Sequence, residues 1–184
     1  MRLGQRWAWT IAGAALVLAP APAAAMSRDS WDDASTVGEY SLAALALGVP
    51  AVRKDTDGLL QAGGSMAAAT AVTQLLKRSI PETRPDNSDR RSFPSGHTSL
   101  SFAAAASLQE RYGWKVGIPA HAVAAFVGVA RVEAKKHHWH DVLAGAAIGE
   151  AAGLLITQPH DSSVRFLPWG DAHGAGATFV AAFR

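Results

Sequence analysis

From residue 36 to residue 157 the chain is a succession of apolar segments, each closed by a short charged or Gly/Pro break. That punctuation predicts helices over 36–52, 57–78, 97–112, 116–131 and 138–157. An all-α fold follows: a compact helical bundle of about five core helices, in one domain, with no sequence repeat or low-complexity linker. Alanine and glycine dominate stretches such as 66–71, 102–106 and 144–153, so backbones can approach closely while each helix stays weakly hydrophobic. Small-residue packing is the expected source of cohesion. A chain of 184 residues, 49% apolar, suffices for one buried core. Only 17% of residues are charged, against a usual figure of about 25%, so the helices are expected to bury most of their surface in protein or in lipid.

The first 25 residues read as a secretory signal. Arg2 and Arg6 form the positive region, residues 7–18 the apolar region and Ala23, Ala24 and Ala25 the small-residue cleavage site. A retained anchor is the competing reading, but the apolar run is short for the roughly 30 Å of a bilayer core. Removing Arg2 and Arg6 from the 17 basic residues leaves 15, matching the 15 acidic ones, so the basic balance of the whole chain belongs to this segment. The remaining cations cluster around short motifs instead of forming a stripe, which argues for a small anionic ligand and against nucleic acid. No cysteine occurs, which excludes disulfides, thiolate metal sites and cysteine nucleophiles and suits an oxidising compartment.

Among the expected helices only residues 58–76 reach the roughly 20 apolar residues of a comfortable membrane span, and the last helix carries Glu150 in its interior. The expected location is therefore exported and periplasmic, soluble or in peripheral membrane contact, with integral inner membrane as the alternative. Beyond the helices, alternating and aromatic residues around Gly170, Gly174 and Gly176 predict a short C-terminal β-hairpin or ordered flap. The chain thus divides into a signal peptide at 1–25, a helical domain at 26–158 and a tail at 159–184.

Three clusters carry chemistry. Lys77, at a helix end, precedes by seven positions Arg84, which is fixed before Pro85; two cations can converge on one anion, although either alone is commonly structural. Pro94, Ser95, Gly96 and His97 stand where a loop turns into the third helix, with Ser95 able to cap and Gly96 leaving the backbone open to close approach. Free N–H groups at such a helix start bind phosphate, and His97 could donate or accept a proton there. Arg131, His137 and Asp141 form the third cluster; if helical there, His137 and Asp141 lie one turn apart on one face. A carboxylate holding one ring nitrogen leaves the other as a lone-pair nucleophile, which a phosphoryl-accepting histidine requires, and Arg131 offers a bidentate clamp.

The run His137, His138, Trp139, His140, Asp141 also admits a metal site, with His97 as a further candidate ligand. Against it, adjacent imidazoles point in different directions, and Arg84, Arg131, Lys135 and Lys136 would repel a dication while attracting phosphate. On that reading His138 and His140 face solvent or the site mouth, Trp139 packs, and His121 is a satisfied core histidine.

In order and internal spacing the three clusters resemble the signature motifs of the phosphatidic acid phosphatase type 2 and vanadium haloperoxidase superfamily, over about two thirds of the chain. The resemblance implies a phosphoric ester hydrolase acting on phosphomonoesters or diphosphates, lipid-linked or soluble. It implies that His137 attacks phosphorus, Asp141 orients it, and His97 protonates the leaving alcohol and later activates water. Lys77, Arg84 and Arg131, with the Ser95 hydroxyl and the Gly96 N–H, would hold the phosphoryl oxygens without a metal or other cofactor. Vanadate would bind as a phosphate mimic. Ala130 departs from the usual serine before the third-motif arginine and removes one hydroxyl from the pocket. Two other functions are carried beside this one: a vanadium-dependent haloperoxidase, for which the chain is short, and a non-catalytic helical membrane or scaffold protein.

Overall fold

A computed structural model of the chain describes residues 26–160 in full and the backbone of 164–171 and 174–181. The expected signal peptide lies outside the described residues. Five helices follow in order: α1 (Arg28–Val52), α2 (Thr56–Ser79), α3 (Gly96–Tyr112), α4 (Trp114–Glu133) and α5 (Trp139–Ile156). The tail forms β1 (Val164–Asp171) and β2 (Gly174–Ala181), paired antiparallel with Val164 opposite Ala181 and Asp171 opposite Gly174.

Helix α1 begins two turns earlier than the apolar pattern predicts. Ser27 accepts a hydrogen bond from the Ser30 N–H at 3.1 Å, and Asp29 sits in the first turn, where the positive end of the helix dipole favours it. The acidic stretch before residue 36 is therefore helical. This extension matters below, because it carries two residues to the site.

Helix α3 lies at the centre and packs against all four others. Its residues Ala103, Ala104, Ala105 and Ala106 are each 0% exposed, so four consecutive positions, more than a full turn, are buried. Along α5, Gly145, Gly149 and Gly153 recur every fourth residue against α3, and a methyl group at Gly149 would overlap the Ser99 carbonyl oxygen. Small residues therefore set the α3–α5 separation, as the composition predicts.

At the end of the bundle where α1 meets α2, Asp55 caps α2 by accepting from the Gly58 N–H at 3.0 Å. The same carboxylate pairs with Arg111 through Nε, at 2.7 Å, and through a second guanidinium nitrogen, and it accepts from the Tyr112 hydroxyl at 2.9 Å. The charged residues that close α3 are thus a buried tether to α2, with all their strong donors satisfied.

The large apolar side chains are distributed unlike those of a water-soluble bundle. Alanine dominates the interior, whereas Leu45, Leu60, Leu75, Phe126, Leu143 and Leu155 are exposed on the outside. Helices α1 and α4 are long and apolar enough to cross a membrane, which differs from the expectation that 58–76 is the best span. Glu150, inside apolar α5, meets His121 of α4 at 3.0 Å, so this charge has a partner within the bundle.

Candidate active site

All three motif clusters reach the other end of the bundle, where α2 and α4 terminate and α3 and α5 begin. They surround a cavity of about 250 Å³ whose walls include Lys77, Arg84, Gly96, His97, Arg131 and His137. Asp141 and Ser95 are fully buried behind that wall.

Backbone bonds fix this arrangement. The Ser95 N–H donates to the Asp141 carbonyl at 3.0 Å, joining the start of α3 to the start of α5. Arg84 donates through NH1 to the Lys136 carbonyl at 3.1 Å and through Nε to Asp89 at 2.8 Å, so the first cluster is tied to the loop preceding α5. Lys77 Nζ donates to the Arg91 carbonyl at 2.7 Å and to that of Ser92 at 3.3 Å. Two cations seven residues apart are thereby held beside one cavity.

His137 lies just before α5, as the expected start at residue 138 implies, so the one-turn geometry that a helix there would give does not apply. His138 is the N-cap of α5, and Asp141 in the first turn accepts from the His138 N–H at 2.8 Å. That capping bond brings the carboxylate back toward the preceding residue, so His137 Nδ1 lies 3.5 Å from Asp141 Oδ2. Ser92 Oγ donates to the same oxygen at 2.5 Å. Asp141 thus starts the helix and faces the imidazole, leaving Nε2 as the nitrogen turned to the cavity. Burial, together with the charges of Lys77, Arg131 and Arg84, pushes the His137 pKa down to about 4, against the opposing pull of the Asp141 carboxylate. The ring is neutral at ordinary pH.

The structure adds residues that the motifs do not contain. His97 Nε2 lies 3.2 Å from Glu39 and 3.3 Å from the Thr36 hydroxyl, both on α1. Arg131 pairs through NH1 with Asp32 and donates to the Ser35 hydroxyl at 3.1 Å, again on α1. Its Nε has no hydrogen-bond partner among the described residues. Asp32, Ser35, Thr36 and Glu39 follow a helical stripe of three- and four-residue steps. That periodicity was the available signal, and it is visible only once α1 is started at Arg28.

Three expectations need correction or refinement. Ser95 is the N-cap of α3, but its hydroxyl makes no cap bond; it pairs with Thr98 Oγ1 at 2.9 Å inside the protein. Packing against Thr98 outcompetes the cap there. Trp139, expected to pack, is 55% exposed, because the helix start turns it outward while Asp141 turns in. His121 is only partly buried and is satisfied by the Gly117 carbonyl and Glu150. The metal alternative does not assemble around His137 and His97, whereas His138 and His140 both approach Glu82, at 3.1 and 2.7 Å.

Comparison with known proteins points to one family. The family model of the PAP2 superfamily matches residues 58–165, which contain all three clusters. A lipid A 1-phosphatase of Porphyromonas gingivalis is 36% identical over 93 residues, 49% of this chain and 21% of that protein. The chain therefore spans about a fifth of that relative's length. The crystal structure of LpxE from Aquifex aeolicus superposes with a TM-score of 0.60 at 21% identity, covering 70% of this chain and 83% of the other, a likeness of fold. A transmembrane PAP2 type phosphatidylglycerolphosphate phosphatase from Bacillus subtilis gives a TM-score of 0.50 at 25% identity, over 70% of this chain and 74% of that one.

Proposed function

Since the chain belongs to the PAP2 superfamily, we propose that it hydrolyses a lipid-linked phosphate ester through a phosphohistidine at His137, without a metal or other cofactor. The observation that carries this reading is the convergence of Lys77, Arg84 and Arg131 with His97 and His137 on one cavity, backed by buried Asp141.

The phosphoryl group enters as an anion, and the three cations, with the N–H groups at the α3 start, offset its charge. His137 Nε2 attacks phosphorus in line: an N–P bond forms as the bond to the alcohol oxygen breaks, and Asp141 stabilises the imidazolium that results. His97, whose pKa burial and the charge of Arg131 lower to about 4, takes up a proton as the phosphoryl anion arrives beside it and gives that proton to the departing alcohol. The imidazole then takes a proton from water, whose oxygen attacks phosphorus, breaking the N–P bond and releasing inorganic phosphate. Glu39 and Thr36 orient His97, and Asp32 and Ser35 hold Arg131 with its Nε free for a phosphoryl oxygen. In-line displacement needs charge neutralisation, which guanidinium and ammonium groups supply here. Vanadate, sharing the geometry of the pentavalent transition state, is expected to compete with substrate.

The reading is tested by phosphate release from phosphatidate in detergent micelles with EDTA present. Activity is expected to persist in EDTA. The acidic limb of kcat/KM is expected near pH 4, because His137 must be neutral to attack and protonates only as the pH falls through that value. Loss of activity on chelation would contradict the mechanism, and a limb at the ordinary imidazole value would contradict the buried nucleophile.

The apolar exterior supports an integral membrane location over a soluble one. Exposed leucines and a phenylalanine around an alanine core suit contact with lipid, and the substrate would then be reached from the bilayer. The protein is expected to stay in the membrane pellet after alkaline carbonate extraction; release into the supernatant would indicate peripheral attachment.

A further inference from the structure

Behind the phosphate cavity, Glu82, His138, His140 and Asp141 each present a ligand atom within 4.8 Å of the others. We infer that these four residues form an inhibitory binding site for a borderline divalent transition metal, represented by Zn²⁺, on the rear face of the His137–Asp141 pair.

The distances suit such an ion. A tetrahedral centre with bonds of about 2.0–2.1 Å needs neighbouring ligand atoms about 3.3 Å apart. Here His138 Nδ1 lies 3.1 Å from Glu82 Oε1, and His140 Nε2 lies 2.7 Å from Glu82 Oε1 and 3.2 Å from Asp141 Oδ1. The two imidazoles are stacked 5.2 Å apart and nearly parallel, and one nitrogen of each lies against the same Glu82 oxygen. Two imidazoles and two carboxylates are a donor set for zinc.

A second observation points the same way. Asp141 is 0% exposed, yet its Oδ1 has no hydrogen-bond partner, and neither does His138 Nδ1. A buried carboxylate oxygen without a hydrogen bond is unfavourable unless something else satisfies it, and its neighbour His140 Nε2, at 3.2 Å, makes none to it. Glu82 is fixed in position by its backbone, which donates to the Arg90 carbonyl at 3.2 Å and accepts from the Ser92 N–H at 2.9 Å. The neighbouring cations that would repel a dication have carboxylates of their own: Arg84 holds Asp89, and Lys136 holds Asp86.

Inhibition follows from the sharing of Asp141. Its Oδ2 faces His137 and accepts from Ser92, while its Oδ1 would bind the metal. A dication on Oδ1 withdraws the negative charge that stabilises the His137 imidazolium, so phosphoryl transfer slows. The metal is an inhibitor of the proposed reaction and takes no part in it. Only the inhibition rests on the phosphatase reading; the binding site does not.

The test uses the full chain, stripped with chelator and titrated with ZnCl₂ against a chromogenic zinc indicator, alongside phosphate release from phosphatidate. One zinc per chain is expected. E82Q and H140A should each weaken binding at least tenfold, and should raise by a similar factor the zinc concentration that halves activity, with activity in EDTA unchanged. Stoichiometric zinc lost in both variants upholds the site even if no substrate is hydrolysed. No zinc bound by the helical wild type, or binding and inhibition unaltered in both variants, overturns it, the latter placing the metal elsewhere.

Discussion

Substitution of His137 by alanine is expected to lower kcat by roughly 10⁴-fold or more, because a covalent mechanism has no route around its nucleophile. His140→Ala, only three residues away, is expected to leave kcat within about twofold, since that ring is exposed and meets Glu82 outside the cavity. Both variants remove an imidazole from the same segment, so a general effect of losing aromatic surface would affect both. Rates of phosphate release in EDTA, normalised to folded protein by far-ultraviolet circular dichroism, distinguish them. Equal loss in the two variants would contradict the assignment of roles.

Asp141→Asn is expected to lower kcat by about 10³–10⁴-fold while leaving KM little changed, by analogy with the loss of the orienting carboxylate in a Ser-His-Asp triad. Asparagine retains an oxygen that can accept from the His138 N–H, so the α5 cap is preserved. What it loses is the negative charge that faces Nδ1 and favours the imidazolium formed on attack. The effect is therefore electrostatic and falls on the chemical step. A variant that instead raised KM with kcat unchanged would assign Asp141 to the binding of substrate.

The motif residues were legible in the sequence because their spacing is local. Lys77 and Arg84 flank one loop, and His97, His137 and Asp141 sit at helix starts that capping and apolar periodicity predict. The five helices were legible for the same reason, to within a turn except at the start of α1. There, Ser27 and Asp29 extend the helix through an acidic stretch that composition suggests is irregular.

That one boundary hid half of the supporting residues. Asp32, Ser35, Thr36 and Glu39 act on Arg131 and His97, contacts that span 58 to 99 residues and leave no local trace. Ser92 was equally hidden, since nothing near it in sequence marks it as a donor to Asp141. The spacing of His137 and Asp141 fits two geometries, so the sequence left open whether the ring sits on the helix or before it. In the protein the carboxylate reaches back around the N-cap, and the ring stays in the loop. Ser95 failed as a cap because the Thr98 hydroxyl was the nearer partner.

The account depends above all on a covalent bond between phosphorus and His137. Mixing the protein with a ³²P-labelled phosphatidate, quenching in alkali within the first turnover and mapping the label by peptide sequencing tests it directly. The account predicts an acid-labile, alkali-stable label on His137, absent from H137A. Full activity with no trapped label, or a label that persists in H137A, would contradict it.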